Sequence, residues 1–493
     1  MSIIIGCDSF LALRNVRTGE LGRWLAGTKI QVWVDPNKLP GSLAAQPEGT
    51  CIGALEEFDV RHDPALDRLH SSVGFVRKCY QDPSTMWADF LFSCYRHNNT
   101  KPLRRVASIS RAAGRFGRFW LAGRCGLAER SRAEFSQTLR QHPITEVYRR
   151  RLREAGATVV ASFSPEGARE MALIEAANSL GIPTLVMIRS RDNLQHKIPY
   201  LPFADLYLVW SQVARDCLLA MYPETSPGQV HVTGAPQFDH HLDSSLRLTR
   251  EELFSLIGLD PNRPLILYTM ATPTVIPHEV AIAQHLADAA HAGRFVRGAQ
   301  LLVRGHPRMF GSNLKLLERE YPEARSYPRP TAVEYGGVEH EAHLVRHILD
   351  EEKMHLSLLA NQDVQVNVCG TMTIDSAIFD KPTVNVYYDQ LPGIPEALSV
   401  RRFYKRSDTK QMMSYGSSQL ADDGEHCIDL INRYLEHPSL EAEGRRRARA
   451  EDCGPLDGQA GRRTAEFLKQ LSKHQAPSTR AYDSTTESRS TVS

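Results

Sequence analysis

An aliphatic run, a short polar loop and a helix follow one another repeatedly along this chain, and that order restricts the architectures open to it. The chain opens on Ile3-Ile4-Ile5-Gly6-Cys7, a buried-strand signal. The loop Asp8-Ser9-Phe10, a helix around Asn15 to Leu25 and a second apolar run, Ile30-Gln31-Val32-Trp33-Val34, come next. Strand, loop, helix, strand is the rhythm of a parallel sheet with helical crossovers. Ligands of open α/β sheets bind outside the carboxyl ends of the strands. The loop at Asp8 lies at such an end.

Residues 64–155 are helical in pattern and poor in strand signals. Alternation resumes at Ala157 to Ser162, followed by a helix from Glu166 to Leu180 that Gly181 and Pro183 stop. Strands are predicted at Thr184 to Ile188, Leu206 to Trp210 and Val230 to Val232. The polar stretch His240 to Thr249 reads as an interdomain linker. The second half restarts with a strand at Pro264 to Tyr268 and a helix near Glu279 to His291. A strand at Gln300 to Val303 and a helix around Glu341 to Ala360 come next. The strand Val364 to Val368, the helix Met372 to Phe379 and the strand Thr383 to Tyr387 continue the series. The fold class expected is α/β, in two domains: 1–243, carrying a helical basic insert at about 64–155, and 244–474, ending in a closing helix. Nine of the last 19 residues are Ser or Thr, with almost no aliphatic side chains, so 475–493 reads as a disordered tail.

Lys and Arg total 59 against 57 Asp and Glu, a net charge of +2, which argues against a nucleic-acid coat protein. The nine cysteines are scattered, with no CxxC pair, and read as reduced thiols of a cytoplasmic protein. The start, MSIIIGCDSF, has no cationic leader, so no signal peptide is expected, and no apolar run is long enough for a membrane-spanning helix.

The average charge conceals one patch. From Lys101 to Arg124 there are seven cations and no acid, with Phe116, Phe119, Trp120 and Leu121 interleaved. Such a segment suits the inner, anionic face of a membrane, or it is a helix that packs its aromatics inward and solvates its arginines. No nucleic-acid-binding motif accompanies it, so no nucleic-acid partner is expected.

Three strand-end loops in the second half carry phosphate-binding chemistry. In Val368-Cys369-Gly370-Thr371-Met372-Thr373-Ile374-Asp375, Gly370 allows close backbone approach and Thr371 or Thr373 can cap the helix. Asp375, in the first turn, can accept hydrogen bonds from a sugar hydroxyl or merely complement the helix dipole. Val303-Arg304-Gly305-His306-Pro307-Arg308 ends a strand in two guanidiniums and an imidazole, a phosphate match or a solvated basic turn. Tyr268-Thr269-Met270-Ala271-Thr272 adds hydroxyls. In the first half, Ile188-Arg189-Ser190-Arg191-Asp192-Asn193-Leu194-Gln195-His196-Lys197 is a polar loop after a strand.

The ordered series LYLVWSQ…VHVTGAPQFD, LLVRGHPR and CGTMTIDSAIFDKPTVNVYYD resembles the GT-B type glycosyltransferases of bacterial surface-carbohydrate synthesis. By pattern it is nearest to the CDP-glycerol glycerophosphotransferase and UDP-N-acetylglucosamine 2-epimerase groups. The similarity is clearest over about Ala157 to Asp389, and Asp457-Gly458 with Arg462-Arg463 is similar to the opening of a carboxyl-terminal helix in such proteins. The resemblance implies two Rossmann-like domains facing a cleft, with a nucleotide-activated sugar donor on the second and a carbohydrate or lipid-linked acceptor on the first. It assigns Arg304 and His306 to a donor-side basic motif, Gly370, Thr371 and Thr373 to a phosphate loop, and Asp375 to its acidic position. Thr269, Thr272 and Arg308 complete the expected donor site. Arg191 stands before Asp192 where an aromatic residue is usual, and the insert matches no family motif.

The chemistry requires a base and stabilisation of a leaving nucleotide. Base candidates are Asp8, Glu166 and Asp192, all beside strand ends of the first half. No DxD-type metal motif lies in a convincing loop, so neither metal nor cofactor is expected. Nucleotide-sugar epimerisation or hydrolysis, and a catalytically silent binding protein of the same fold, are the alternative readings.

Overall fold

A computed structural model of the chain describes residues 2–8, 16, 19–35, 50–98, 101–188, 193–198, 200–272, 275–305, 324–327, 352–368 and 370–473. β1 (Ser2–Cys7) is buried along its whole length. Its successive isoleucines alternate between two cores. Ile4 joins Trp33, Val160 and Val186 on one face of the sheet, and Ile3 and Ile5 join Val32, Val159 and Leu185 on the other. A strand covered on both faces reads as a near-continuous apolar run.

The first sheet is parallel throughout and runs β3-β2-β1-β4-β5-β6-β7. It comprises β1, β2 (Ile30–Val34), β3 (Thr50–Ala54), β4 (Ala157–Ser162), β5 (Thr184–Met187), β6 (Leu206–Val209) and β7 (Val230–Val232). The second sheet runs β10-β9-β8-β11-β12-β13, also parallel. Its strands are β8 (Leu265–Thr269), β9 (Gln300–Arg304), β10 (Ala324–Tyr327), β11 (Val364–Asn367), β12 (Thr383–Val386) and β13 (Gln419–Ala421). Counted from its own first strand, the second sheet has the 3-2-1-4-5-6 order of the Rossmann fold, and the first has that order plus one strand. The strand order reverses beside β1 and beside β8, which places a ligand crevice at the carboxyl end of each.

The insert is an elaborated crossover from edge strand β3 back to central β4. It holds five helices: Pro64–Gln81, Pro83–Asn98, Pro102–Arg124, Leu127–Gln141 and Pro143–Glu154. Four begin at proline, whose missing N–H costs nothing at the first helical position. Phe135, Leu139, Tyr148 and Leu152 carry the insert into the core beneath β1 and β4. Across the cleft Arg402 stacks on Phe92 at 4.0 Å. Ser407 donates to Asp82, its amide donates to Thr85 at 3.1 Å, and its hydroxyl accepts from Gln195 at 3.0 Å. The insert therefore touches the second domain.

Two expectations are corrected. The stretch His240 to Thr249, read as a polar linker, begins inside the helix Pro236–Leu242, in which Phe238, Asp239, His240 and His241 are buried. The closing helix Ala460–Lys473, counted above with the second domain, packs on the first: Ala465 and Leu468 share a core with Ile3, Leu21 and Leu25. Gly461 makes this crossing fit, since a Cβ there would lie 2.3 Å from the amide nitrogen of Leu21. Asp239 anchors the helix start by accepting from the amides of Ala460 at 3.1 Å and Gly461 at 2.7 Å. The expected tail lies outside the described residues.

Candidate functional site

The strand ends beside the second switch point are Thr269 on β8, Arg304 on β9 and Asn367 on β11. After β11 the helix Thr371–Ile378 begins. Its N-cap is Gly370, in an extended conformation and without a side-chain capping bond. Among the described residues a Cβ on Gly370 would meet only Val368 O, at 3.7 Å. A helix start not capped by a side chain presents amides and a partial positive charge to an anion.

Neither threonine caps this helix. Thr371 is the first helical residue and is exposed. The Thr373 hydroxyl is buried, donating to Asn385 Oδ1 at 3.0 Å and accepting from Asn367 Nδ2 at 3.3 Å. Thr269 accepts from Gln365 Nε2 at 2.7 Å. The Thr269 hydroxyl thus ties β8 to β11, and the Thr373 hydroxyl ties β11 to β12. Thr272 is half-buried, and its carbonyl accepts from the amides of Val275 and Ile276, closing the loop after β8. Asp375 falls one turn later than expected, because no acid lies in the first turn.

Arg304 is buried, with Nη1 2.5 Å from His355 Nδ1. The His355 ring meets the His241 ring edge-on, centroids 6.5 Å apart, and His241 Nε2 is 3.7 Å from Asp375 Oδ1. Beside them His240 Nδ1 lies 2.5 Å from Glu352 Oε1. A chain of polar groups thus runs from the end of β9, through the linker helix, to the helix that opens at Gly370. His240, His241, Glu352 and His355 were not singled out in the sequence. The adjacent pair His240-His241 was visible there, but as polarity of a linker. His306 and Arg308 lie outside the described residues.

At the first switch point Asp8 and Arg169 pair at 3.4 Å, and Arg169 also bonds Asp35. Gly167 permits this packing: a Cβ there would lie 2.5 Å from Asp8 Oδ2. Behind Asp8 is Glu170, fully buried, which accepts from the Asp8 amide at 2.5 Å, the Ser164 amide at 2.9 Å and the Ser162 hydroxyl at 2.6 Å. Burial pushes its carboxyl up to about 7, against these three donors. The second domain repeats the device. Glu279 accepts from the Ala271 amide at 2.8 Å and the Tyr268 hydroxyl at 3.1 Å, and burial pushes it up to about 8. Each glutamate laces the loop after its sheet's first strand.

Glu166 lies half-buried in the loop after β4. Asp192 lies outside the described residues. Its neighbour Asn193 is fully buried, and its Oδ1 and Nδ2 have no hydrogen-bond partner among the described residues. A buried amide left in that state can receive a ligand or water. Elsewhere, a cavity of about 530 Å³ opens at the carboxyl ends of β12 and β13, with Asp389, Glu396, Asp422 and Asp423 in its wall. Those acids oppose a diphosphate in this cavity.

No protein-family model matches the chain, and no curated protein matches it. Solved structures do. UDP-GlcNAc 2-epimerase from Neisseria meningitidis, bound to UDP-GlcNAc, is 10% identical; the match covers 95% of this chain and 100% of that one, with a TM-score of 0.50. The UDP-GlcNAc 2-epimerase from Methanocaldococcus jannaschii is 11% identical over 95% and 99%, also at 0.50. A further UDP-N-acetylglucosamine 2-epimerase is 11% identical over 95% and 94%, at 0.51. These likenesses show the fold: two Rossmann-like domains facing a cleft, of the GT-B type.

Proposed function

We propose that this chain acts on a nucleotide-activated sugar, transferring a glycosyl or glycerophosphoryl group to a surface-carbohydrate acceptor. The observation that carries the reading is the second switch point, where the side-chain-free helix start at Gly370 and the buried guanidinium of Arg304 end the two strands that flank β8. Helix amides and the guanidinium would hold the donor's diphosphate and stabilise the departing nucleotide, a nucleoside diphosphate in glycosyl transfer and a nucleoside monophosphate in glycerophosphoryl transfer, without a metal ion. Asp375 would hold a ribose hydroxyl. The first domain would present the acceptor, with the buried Asn193 amide as a contact and Asp8, Glu166 or Asp192 as the base. Asp8 is favoured among the three by its place at the end of β1.

Calorimetric titration with UDP, CDP, GDP and CMP tests the donor site. At least one binds, and Arg304→Ala abolishes that binding. Failure of all four, or binding undisturbed in Arg304→Ala, overturns the assignment. Activity retained in EDTA supports metal independence, and its loss removes that part.

The second reading, epimerisation or hydrolysis of the nucleotide sugar, is favoured by full-length fold neighbours that are UDP-GlcNAc 2-epimerases. Product analysis without added acceptor separates the two, because only this second reaction converts the donor alone.

A further inference from the structure

The helix Pro102–Arg124 has two unlike sides. Inward, Phe119 stacks on Phe75 at 5.5 Å, Phe116 meets Phe90 edge-on at 6.2 Å, and Gly123 packs against Tyr80. This inner side is complete, so the residues on the outer side are not required by the helix's own core. Leu103, Val106 and Leu121 are exposed by 86%, 62% and 58%. Ala107, Gly114 and Gly117 lie exposed between them. Among the described residues nine large hydrophobic side chains are exposed, and Leu103, Val106, Trp120, Leu121 and Leu127 are five of them.

Cations border this stripe. Arg104, Arg111 and Arg118 recur every seven residues, which keeps them on one flank of an α-helix. Arg124 and Trp120 stand on the other flank. Arg105 and Arg115 are turned inward over Tyr95 and Phe75. Among the described residues no ion pair involves Arg104, Arg111, Arg118 or Arg124.

From this arrangement we infer that the outer face of Pro102–Arg124 docks on an anionic lipid surface, lying in its plane. The apolar centre enters the acyl boundary while the arginines reach lipid phosphates. A nucleic acid would meet the stripe with its charged backbone and leave the leucines unused. A second copy would bring the arginine rows together with no acid between Lys101 and Arg124 to meet them. The helix Pro83–Asn98 packs beside this one and reaches Val400–Lys405 of the second domain through Phe92 and Arg402. Docking would therefore hold the mouth of the cleft next to the membrane. The inference rests on this surface alone and stands apart from the nucleotide-sugar reading.

Co-sedimentation of the full chain with lipid vesicles tests it. Binding is expected to phosphatidylcholine vesicles containing about 30% phosphatidylglycerol, and not to pure phosphatidylcholine. It should fall at least about tenfold as salt rises from roughly 0.1 to 0.5 M. Arg104→Glu, Arg111→Glu and Arg118→Glu together abolish it. Leu103→Ser with Leu121→Ser weakens it about tenfold at low salt, by removing the inserted apolar area. Both variants keep their circular dichroism, because every changed side chain is exposed. Absence of vesicle binding, equal binding to neutral vesicles, or a charge-reversed variant that still binds overturns the inference. So does RNA binding or dimerisation that the same variants abolish while the wild type ignores vesicles.

Discussion

His241 Nε2 stands 3.7 Å from Asp375 Oδ1, so the helix joining the two domains meets the helix that opens at Gly370. A nucleotide whose ribose engages Asp375 would therefore be read by the linker as well. Asp375→Ala should weaken nucleotide binding by about tenfold or more in calorimetry. A hydrogen bond to a charged group contributes about 1.5–3 kcal/mol, and about 1.4 kcal/mol is tenfold. Affinity unchanged in Asp375→Ala would remove the residue from the donor site.

Glu279 sets a pH dependence. Its carboxyl is raised from 4.5 to about 8 by burial beneath the loop after β8. Between those values the folded state holds a proton that the unfolded state has released, so stability falls as pH rises. The contribution is fully present below about 4.5 and lost through about 8, on the order of a few kcal/mol. Glu279→Gln stays neutral and should flatten this slope in urea unfolding curves taken from pH 5 to 8. A slope equal to wild type would show that Glu279 is not its source.

The parts of this fold legible in the sequence are those where one strand supplies its own signal. Ile3-Ile4-Ile5 and Val159-Val160 lie in strand interiors and are apolar without interruption, and Val364-Gln365-Val366 is broken only by Gln365. Of the four edge strands only β7 is legible: β3 contains Gly53, β10 is Ala-Arg-Ser-Tyr and β13 is the short Gln-Leu-Ala. An edge strand has one neighbour and carries a weaker apolar demand. The closing helix was misplaced because its anchor, Asp239, bonds Gly461 across 222 positions of chain. Glu170 and Glu279 were passed over for a related reason. A glutamate on a helix reads as a solvated charge, and only the tertiary structure shows both beneath a switch-point loop.

Two glycines predict opposite signs. Gly461→Ala forces a Cβ to within 2.3 Å of the Leu21 amide nitrogen, and should destabilise by about 1–3 kcal/mol through overpacking at the helix crossing. Gly114→Ala meets nothing within 4 Å on an exposed helix face, and should stabilise by about 0.5–1 kcal/mol. Chemical denaturation of both variants checks the pair. Equal effects would mean that the closing helix does not cross at Gly461 as described.

Gly167 offers a way to move Asp8 without deleting it. A methyl group at 167 would lie 2.5 Å from Asp8 Oδ2, so the carboxylate or the loop must shift. The donor loops are on the other domain and should not respond. Gly167→Ala is therefore expected to leave nucleotide affinity as in the wild type while lowering turnover by about ten- to a hundredfold, the cost of misplacing a reacting group by about 1 Å. Asp8→Asn should lower turnover further still, again with affinity kept. Turnover unaffected by either variant would pass the role of base to Glu166 or Asp192. A fall in nucleotide affinity in Gly167→Ala would instead mean that the loop after β1 reaches the donor.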